Sequence, residues 1–528
     1  MSKVNIEWTK MPIPRRRFLQ GASALGLAAG AGAGFPISAW AEGSTLKSRT
    51  YADMRSLDPA FSQGVVDEEI HAPIYSKLIQ YKPGREWGWQ LDAAASVEQV
   101  DETHIKFSLR DDMGFTNGFG AMTAEDVKYS FERIIDDDLK STNKPDWGPL
   151  DHVEVTGERE GVIVLKNAFQ PLWSITLPYI TGNIVSKKAF EEAGGKIETS
   201  AVAASGPYMH KSWEPKQKTT LVRNPDWKGE KAAFDEIQIF HIDDEKTAEI
   251  AFEAGELDFT RVSLASLDRL KSSPPEDSTV DEFPSLYYAW VGMNVENDKL
   301  KNKKLRQAIQ HVIDVPSIME AAYFGVAKPS TGIIAPGLAG HREASLVPAA
   351  QDLAKAQELL DESGAAGTKL AIDVLNKQAN VTAAQIIQAN LSQIGIELEV
   401  RLHEGATFWT LGDKSAGDQW KNVELLLNRF SMTPDPYYAT AWFTCEQVGV
   451  WNWERICIDE FDKLHEAAQA EGDAGKRDAM YRRAQDLMEE TGAYKFLTHE
   501  ATPVIYRNSV KPALRPDGLP LLRYFAKA

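Results

Sequence analysis

From Leu305 onward the chain repeats one texture, an apolar-periodic segment followed by a short strand. Residues 305–312 and 351–360 read as helices, 369–375 as a strand, 381–394 as a helix and 396–402 as a strand again. Strands alternating with amphipathic helices bury both faces of a sheet, which is the arrangement of a mainly parallel α/β layer. The residues before 305 do not repeat it. There, 104–109 alternates with period two as a half-buried strand, and 152–155 with 162–165 makes a hairpin around Gly157 to Gly161. Residues 234–241 form a further alternating strand, before a helix over 243–252 that stops at Gly255. Two textures over 528 residues call for two cores, since a single core stops growing near roughly 250–300 residues.

Local signals sharpen this outline. Leu57-Asp58-Pro59 marks a turn, and 65–78 carries the apolar spacing of a helix. Thr123 is placed to cap a helix with Asp126 as the other half of a capping box, and Val127, Phe131, Ile134 and Ile135 supply its buried face. Two more helices are expected over 458–470 and 475–490. The tail from Ala501 holds Pro503, Pro512, Pro516 and Pro520, so it is expected to be extended or irregular and to pack back on the first half.

The start reads differently. Arg15-Arg16-Arg17 precedes a short, weakly apolar run over 21–34 and then Ala39-Trp40-Ala41, the three parts of an export signal cut after Ala41. Paired arginines and low hydrophobicity resemble the twin-arginine type. Those 41 residues carry five Lys or Arg against one Glu, so removing them takes the net charge from -18 to -22. A balance so acidic excludes a nucleic-acid face, which needs a basic stripe, and gives no attraction to anionic lipid.

The chain has two cysteines, Cys445 and Cys457. In an oxidising compartment they close a short loop as a disulfide, and in a reducing one they stay free. No histidine cluster has metal-ligand spacing, and His71, His210, His311 and His403 read as structural or surface residues. Phosphate loop, dinucleotide fingerprint, Gly-x-Ser-x-Gly elbow and His-Glu-x-x-His helix are all missing, which leaves an exported glycosidase with paired carboxylates as the enzyme alternative. More telling are aromatics beside polar groups: Trp87, Trp89, Trp290 with Asn294, Phe408 and Trp409, Trp420, Tyr437 and Tyr438, Trp442, and Trp451-Asn452-Trp453. Such rings close over an organic solute while their polar edges find partners.

Several stretches resemble the solute-binding receptors of ABC importers that take dipeptides, oligopeptides or nickel. Thr103-x-x-x-Phe107-x-Leu109-Arg110-Asp111-x-x-x-Phe115 is followed by Met122-Thr123-Ala124-Glu125-Asp126-Val127-x-x-Ser130-Phe131. Ser205-Gly206-Pro207-Tyr208, Arg223-Asn224-Pro225-Asp226-Trp227, Gly255-Glu256-Leu257-Asp258, Met293-Asn294 and Leu305-Arg306-Gln307-Ala308-Ile309 continue in order. The resemblance implies an α/β, two-lobed periplasmic binding protein fold of class II, cluster C type, with an extra subdomain inserted in lobe I. Lobe I would be 42–304 with the insert near 82–204, lobe II 305–490, and 491–528 a return to lobe I. It also implies a monomer in the periplasm without cofactor or metal, handing a small organic solute to ABC permease subunits of the inner membrane.

In peptide-binding relatives an acidic residue ahead of an Asp-Pro turn holds the ligand's amino terminus. Along Asn428-Arg429-Phe430-Ser431-Met432-Thr433-Pro434-Asp435-Pro436 that position falls on Met432, whose thioether cannot pair with an ammonium. The expectation is therefore an opine-like conjugate, a sugar derivative or an oligosaccharide, with peptides as the alternative and Asp435 then the substitute amine anchor. Trp290, Trp409, Tyr437 and Trp453 would contact the solute, and Asn294, Asn428, Arg429 and Asn452 would bind its polar groups.

Overall fold

The structure, a computed structural model, describes residues 44–197 and 199–528. The export signal expected over 1–41 lies outside the described residues. Among those described, no helix is long and apolar enough to cross a membrane.

Among the described residues apolar burial gives six clusters of packed side chains, which divide along the chain into two sets. One joins Leu46, Ile70, Phe107, Phe131, Ile237 and Phe283 to Val504 and Phe525. The other runs from Leu286 and Trp290 through Ile372 and Leu427 to Tyr481 and Leu497. The cores change hands between Phe283 and Leu286 and again between Leu497 and Val504, whereas the sequence texture changes at Leu305. The difference has a physical cause: two long strands, Ser278–Met293 and Tyr494–Arg507, belong to both cores.

These strands pair antiparallel over most of their length. Ser278 to Pro284 faces Arg507 to Ala501, beside the short strand Phe259–Arg261. Tyr288 to Gly292 faces His499 to Tyr494, beside Leu425–Ser431. Between the two halves the register breaks, so that Ser285, Leu286 and Tyr287 stand opposite Glu500 alone. Unpaired residues in a ladder bend the strand that carries them, which makes this the natural hinge.

The tail is more regular than its prolines suggest, since Ala501 to Arg507 completes a strand. Pro503 is tolerated because its carbonyl accepts from the Val262 N–H just past the end of Phe259–Arg261. Its missing N–H thus falls where no ladder bond is required. Leu514, Leu522 and Phe525 then pack into the first core, as expected of a returning tail.

In the second core, Lys369–Leu375, Glu397–His403 and Leu425–Ser431 are parallel neighbours. Helices Lys303–Val312, Leu353–Ser363 and Gln378–Ser392 cover them with Leu305, Ile309, Leu360 and Ile387. The α/β alternation read from Leu305 onward is realised here. Before the long strands lies a four-stranded sheet in which Thr45–Thr50 runs parallel to Glu236–His241. A separate antiparallel sheet joins Ala94–Gln99, His104–Leu109, Glu160–Leu165 and Leu150–Val155. Helix Ala124–Ile135 packs over it, and the Asp126 carboxylate accepts from the Thr123 N–H and hydroxyl at 2.9 Å each.

The Leu57-Asp58-Pro59 turn does more than reverse the chain. Asp58 is fully buried and receives the Arg133 guanidinium through two hydrogen bonds of 2.6 and 2.9 Å, tying the first residues of the fold to helix Ala124–Ile135. Removing one partner strands the other charge out of water. Asp58→Ala is expected to lower unfolding free energy by about 3–5 kcal/mol in urea titrations.

Candidate functional site

Both lobes turn the carboxyl ends of their parallel strands toward one cleft, where α/β sheets place ligands. On the first lobe Tyr51 follows Thr45–Thr50, and Glu245 opens the helix after Glu236–His241. On the second, Gln378 follows Lys369–Leu375, Trp409 follows Glu397–His403, and the segment from Met432 follows Leu425–Ser431. Two cavities open there. The smaller, about 330 Å³, is lined by Tyr287, Trp409, Arg429, Phe430, Trp442 and Trp451. The larger, about 570 Å³, is lined by Arg261 and Glu245 of the first lobe and by Tyr323, Gln378, Thr382 and Glu500. Tyr287 and Arg429 form the wall common to both.

That wall is charged and rigid. Arg429 donates through Nε and Nη2 to the two carboxylate oxygens of Glu500, each at 2.6 Å, and its guanidinium lies 3.7 Å from the Tyr287 ring centre. Desolvation alone would lower the guanidinium's pKa, but the pair with Glu500 more than offsets it and the net direction is up. Across the cleft, Arg261 is held 2.9 Å from the buried Glu69. Burial raises Glu69 to about 7, against the opposing pull of Arg261 and Arg49. Tyr51, at the same edge, is raised to about 12, mainly by desolvation.

Away from these cavities, a latch joins the lobes. Ser174 donates to Asp435 at 2.5 Å, Tyr438 donates to Asp146 at 2.5 Å, and the Gln170 N–H donates to the Gln469 carbonyl at 2.7 Å. Phe169 meets Tyr437 edge-on with ring centres 5.8 Å apart. Asp435 is 1% exposed and fully engaged: besides Ser174 it caps helix Pro436–Ala441 through the Tyr437 N–H and accepts from Arg477 at 2.8 Å. It is therefore a poor substitute amine anchor, because three donors already occupy its two oxygens.

Other expected contacts point inward. Trp290 is fully buried and donates its indole N–H to Glu454 at 2.8 Å. Asn294 spends its amide on the carbonyls of Trp420 and Val423, and Asn452 on those of Phe443 and Ile456. Trp453 packs with Phe408 and Leu426 and donates to the Val450 carbonyl. Asn428 is buried against Glu454. Of the expected set, Trp409 and Arg429 line the cavities, and Asp435 and Tyr437 sit at the latch. Tyr287 and Glu500 were not visible in the sequence, since no motif marks a strand bulge. The two cysteines form a disulfide. A further cavity, about 880 Å³, lies within the first lobe and its returning tail and does not touch the cleft.

Residues 89–449 match the family model described as bacterial extracellular solute-binding proteins, family 5 middle. The chain belongs to this family. Among curated relatives, the probable D,D-dipeptide-binding periplasmic protein DdpA of Escherichia coli K12 is 26% identical over 479 residues, covering 87% of this chain and 89% of its own. The substrate-binding protein CtaP of Listeria monocytogenes superposes with a TM-score of 0.80 at 20% identity, over 92% of this chain and 99% of its own. MoaA of A. tumefaciens R10, in complex with mannopinic acid, gives 0.73 at 23% identity, over 92% and 99%. DppA of Helicobacter pylori, in complex with the peptide STSA, gives 0.72 at 23%, over 92% and 98%. The protein is thus a two-lobed periplasmic receptor of a non-catalytic transport family, which delivers a solute to an ABC permease.

Beneath the smaller cavity the receptor buries a carboxyl group. Phe430, on the cavity floor, meets Trp290 edge-on at 4.9 Å between ring centres, and Trp290 holds Glu454. Gly292 is required beside it, because a Cβ there would stand 1.9 Å from a Glu454 oxygen. Desolvation raises Glu454 from 4.5 to about 7, with the Trp290 N–H and the Asn428 amide pulling the other way. An acid raised in the folded state keeps its proton there while the unfolded chain loses it. Stability is accordingly lost as pH rises from about 4.5 to about 7 and is flat above. Glu454→Gln keeps an acceptor for the indole and removes this loss. Urea titrations should find the variant more stable than the wild type at pH 8, by up to about 3 kcal/mol, with the difference shrinking toward pH 5.

Proposed function

We propose that the receptor captures short peptides in the cleft walled by Tyr287 and Arg429. The observation that carries this reading is the combination of an aromatic cavity with a charged wall at the meeting of the two lobes. A peptide presents apolar side chains to Trp409 and Phe430 and charged or amide groups to Arg429 and Glu500. A neutral oligosaccharide would leave that ion pair without a counterpart. The names of relatives point the same way, since one is described as binding D,D-dipeptides and a similar structure holds STSA. The mannopinic acid bound to MoaA keeps an opine as the second reading, because Arg429 also suits a carboxylate.

The proposal extends to the architecture. Lobe I takes the residues up to about Phe283 and those from about Val504, lobe II the span between, and the independent sheet around 94–165 is the inserted subdomain of a class II, cluster C receptor. Ligand binding favours the closed arrangement because only there do both walls touch the solute, and the latch around Asp146 and Asp435 forms at the same time. The receptor acts as a monomer, each chain carrying both walls of its own cleft.

Calorimetric titration with di- and tripeptides, mannopinic acid and maltotriose tests this directly. Tight binding is expected for peptides alone, with a change in tryptophan fluorescence. Trp409→Ala should weaken that binding about tenfold or more, since an aromatic contact stabilises by roughly 1–2 kcal/mol, while leaving the melting temperature nearly unchanged. Tight binding of mannopinic acid or maltotriose without any peptide would replace the reading.

A further inference from the structure

A peptide receptor with Met432 at the usual acidic position needs another carboxylate for the ligand's amino terminus. We propose that Glu500 is that anchor, completed on closure by Glu245 from the opposite lobe. The inference rests on the peptide reading above and adds the group that selects a free amine.

Three observations carry it. First, Glu500 is the residue left without a ladder partner where the long strands lose register, so its side chain is presented at the hinge rather than buried in the sheet. Second, it lines the 570 Å³ cavity together with Glu245, which stands on the other wall at the head of helix Glu245–Glu253. Desolvation raises the pKa of Glu245, Arg49 and Arg261 pull it down, and Glu249 and then Glu500 add smaller upward pushes, so Glu500 acts on it across the cavity. Third, Asp435 already accepts from three donors, Arg477, Ser174 and the Tyr437 N–H, whereas both hydrogen bonds to Glu500 come from Arg429.

The valences also fit. An ionised carboxylate offers about four acceptor sites, and Arg429 occupies one on each Glu500 oxygen. The remaining sites can receive an ammonium, which has three donors and no acceptor. Arg261, which lines the same cavity, and Arg49 also act on Glu245, so the ammonium joins a cleft that already carries both signs. Arg49 gives its guanidinium N–H groups to the carbonyls of Ile242 and Asp243. The three N–H groups of Arg429 not given to Glu500 remain for a ligand carbonyl or carboxylate, so a short zwitterionic peptide meets both signs along one wall. Since Glu500 lies between the two halves of a hinge strand, the ammonium binds at the point about which the lobes turn.

The test compares L-Ala-L-Ala, D-Ala-D-Ala and L-Ala-L-Ala-L-Ala, each with a free and with an acetylated amino terminus, by calorimetry on the wild type, Glu500→Gln and Glu245→Gln. For whichever free peptide binds, acetylation should weaken the wild type about 30-fold or more, as loss of a desolvated charge pair does. Glu500→Gln should bring that ratio below about 5, and Glu245→Gln should reduce it to an intermediate value. Circular dichroism checks folding. If Glu500→Gln is unfolded, the paired Arg429→Gln, Glu500→Gln variant leaves neither charge stranded and carries the same readout. A wild type that binds none of the free peptides overturns the peptide reading. Peptide binding whose acetylation ratio is unchanged in the variants overturns the role of Glu500 and leaves the peptide reading standing.

Discussion

Pairing between Ser278–Met293 and Tyr494–Arg507 holds the two lobes in one sheet, with two breaks in register, the wider of them between Pro284 and Tyr288. Backbone hydrogen bonds on either side of the break bind each half of the two strands to a different core. At the break, three residues face one, and backbone groups there cannot all be satisfied by the neighbouring strand. Glu500 has no partner in this ladder, and Tyr287, paired on its other side with Ser431, lines the cavities beside it.

Electrostatics then decides what the cleft accepts. Its walls are built from charge pairs rather than single charges, Arg429 with Glu500 on one side and Arg261 with Glu69 on the other. Each pair limits the cost of holding an ion near an apolar surface, and each still offers unspent donors or acceptors. The latch works differently. Asp435 and Asp146 accept hydrogen bonds from the hydroxyl groups of Ser174 and Tyr438 across the lobe boundary.

Much of the local structure could be read in advance. Strands His104–Leu109 and Lys369–Leu375 fall where period-two alternation or an apolar run between helices places them. The Thr123 and Asp126 box begins its helix as expected, and Gly364 ends another in the left-handed region. The long strands were the principal omission. Pro284 and the charged residues Asp281 and Glu282 interrupt any alternation in the first, and Pro503 disguises the second. Their stability comes from partners more than 200 residues away in sequence, which no window of neighbours reports. The expected site residues failed for a related reason. Trp290, Asn294, Asn452 and Trp453 do combine aromatic and polar character, but the structure spends it on Glu454 and on backbone carbonyls.

What the sequence by itself determined is the class of object: two cores, a parallel α/β layer after Leu305, a disulfide option at Cys445 and Cys457, and a family resemblance spread along the chain. The first three follow from periodicity, capping and spacing, which are local properties, and the resemblance from ordered motifs. Only the tertiary structure decided which charges are free. Asp435 and Glu500 are both acids near the cleft. One is consumed by Arg477, a helix cap and Ser174, while the other keeps acceptor sites open on a cavity wall. Whether a carboxylate can hold a ligand depends on the donors that already surround it, and those donors come from distant parts of the chain.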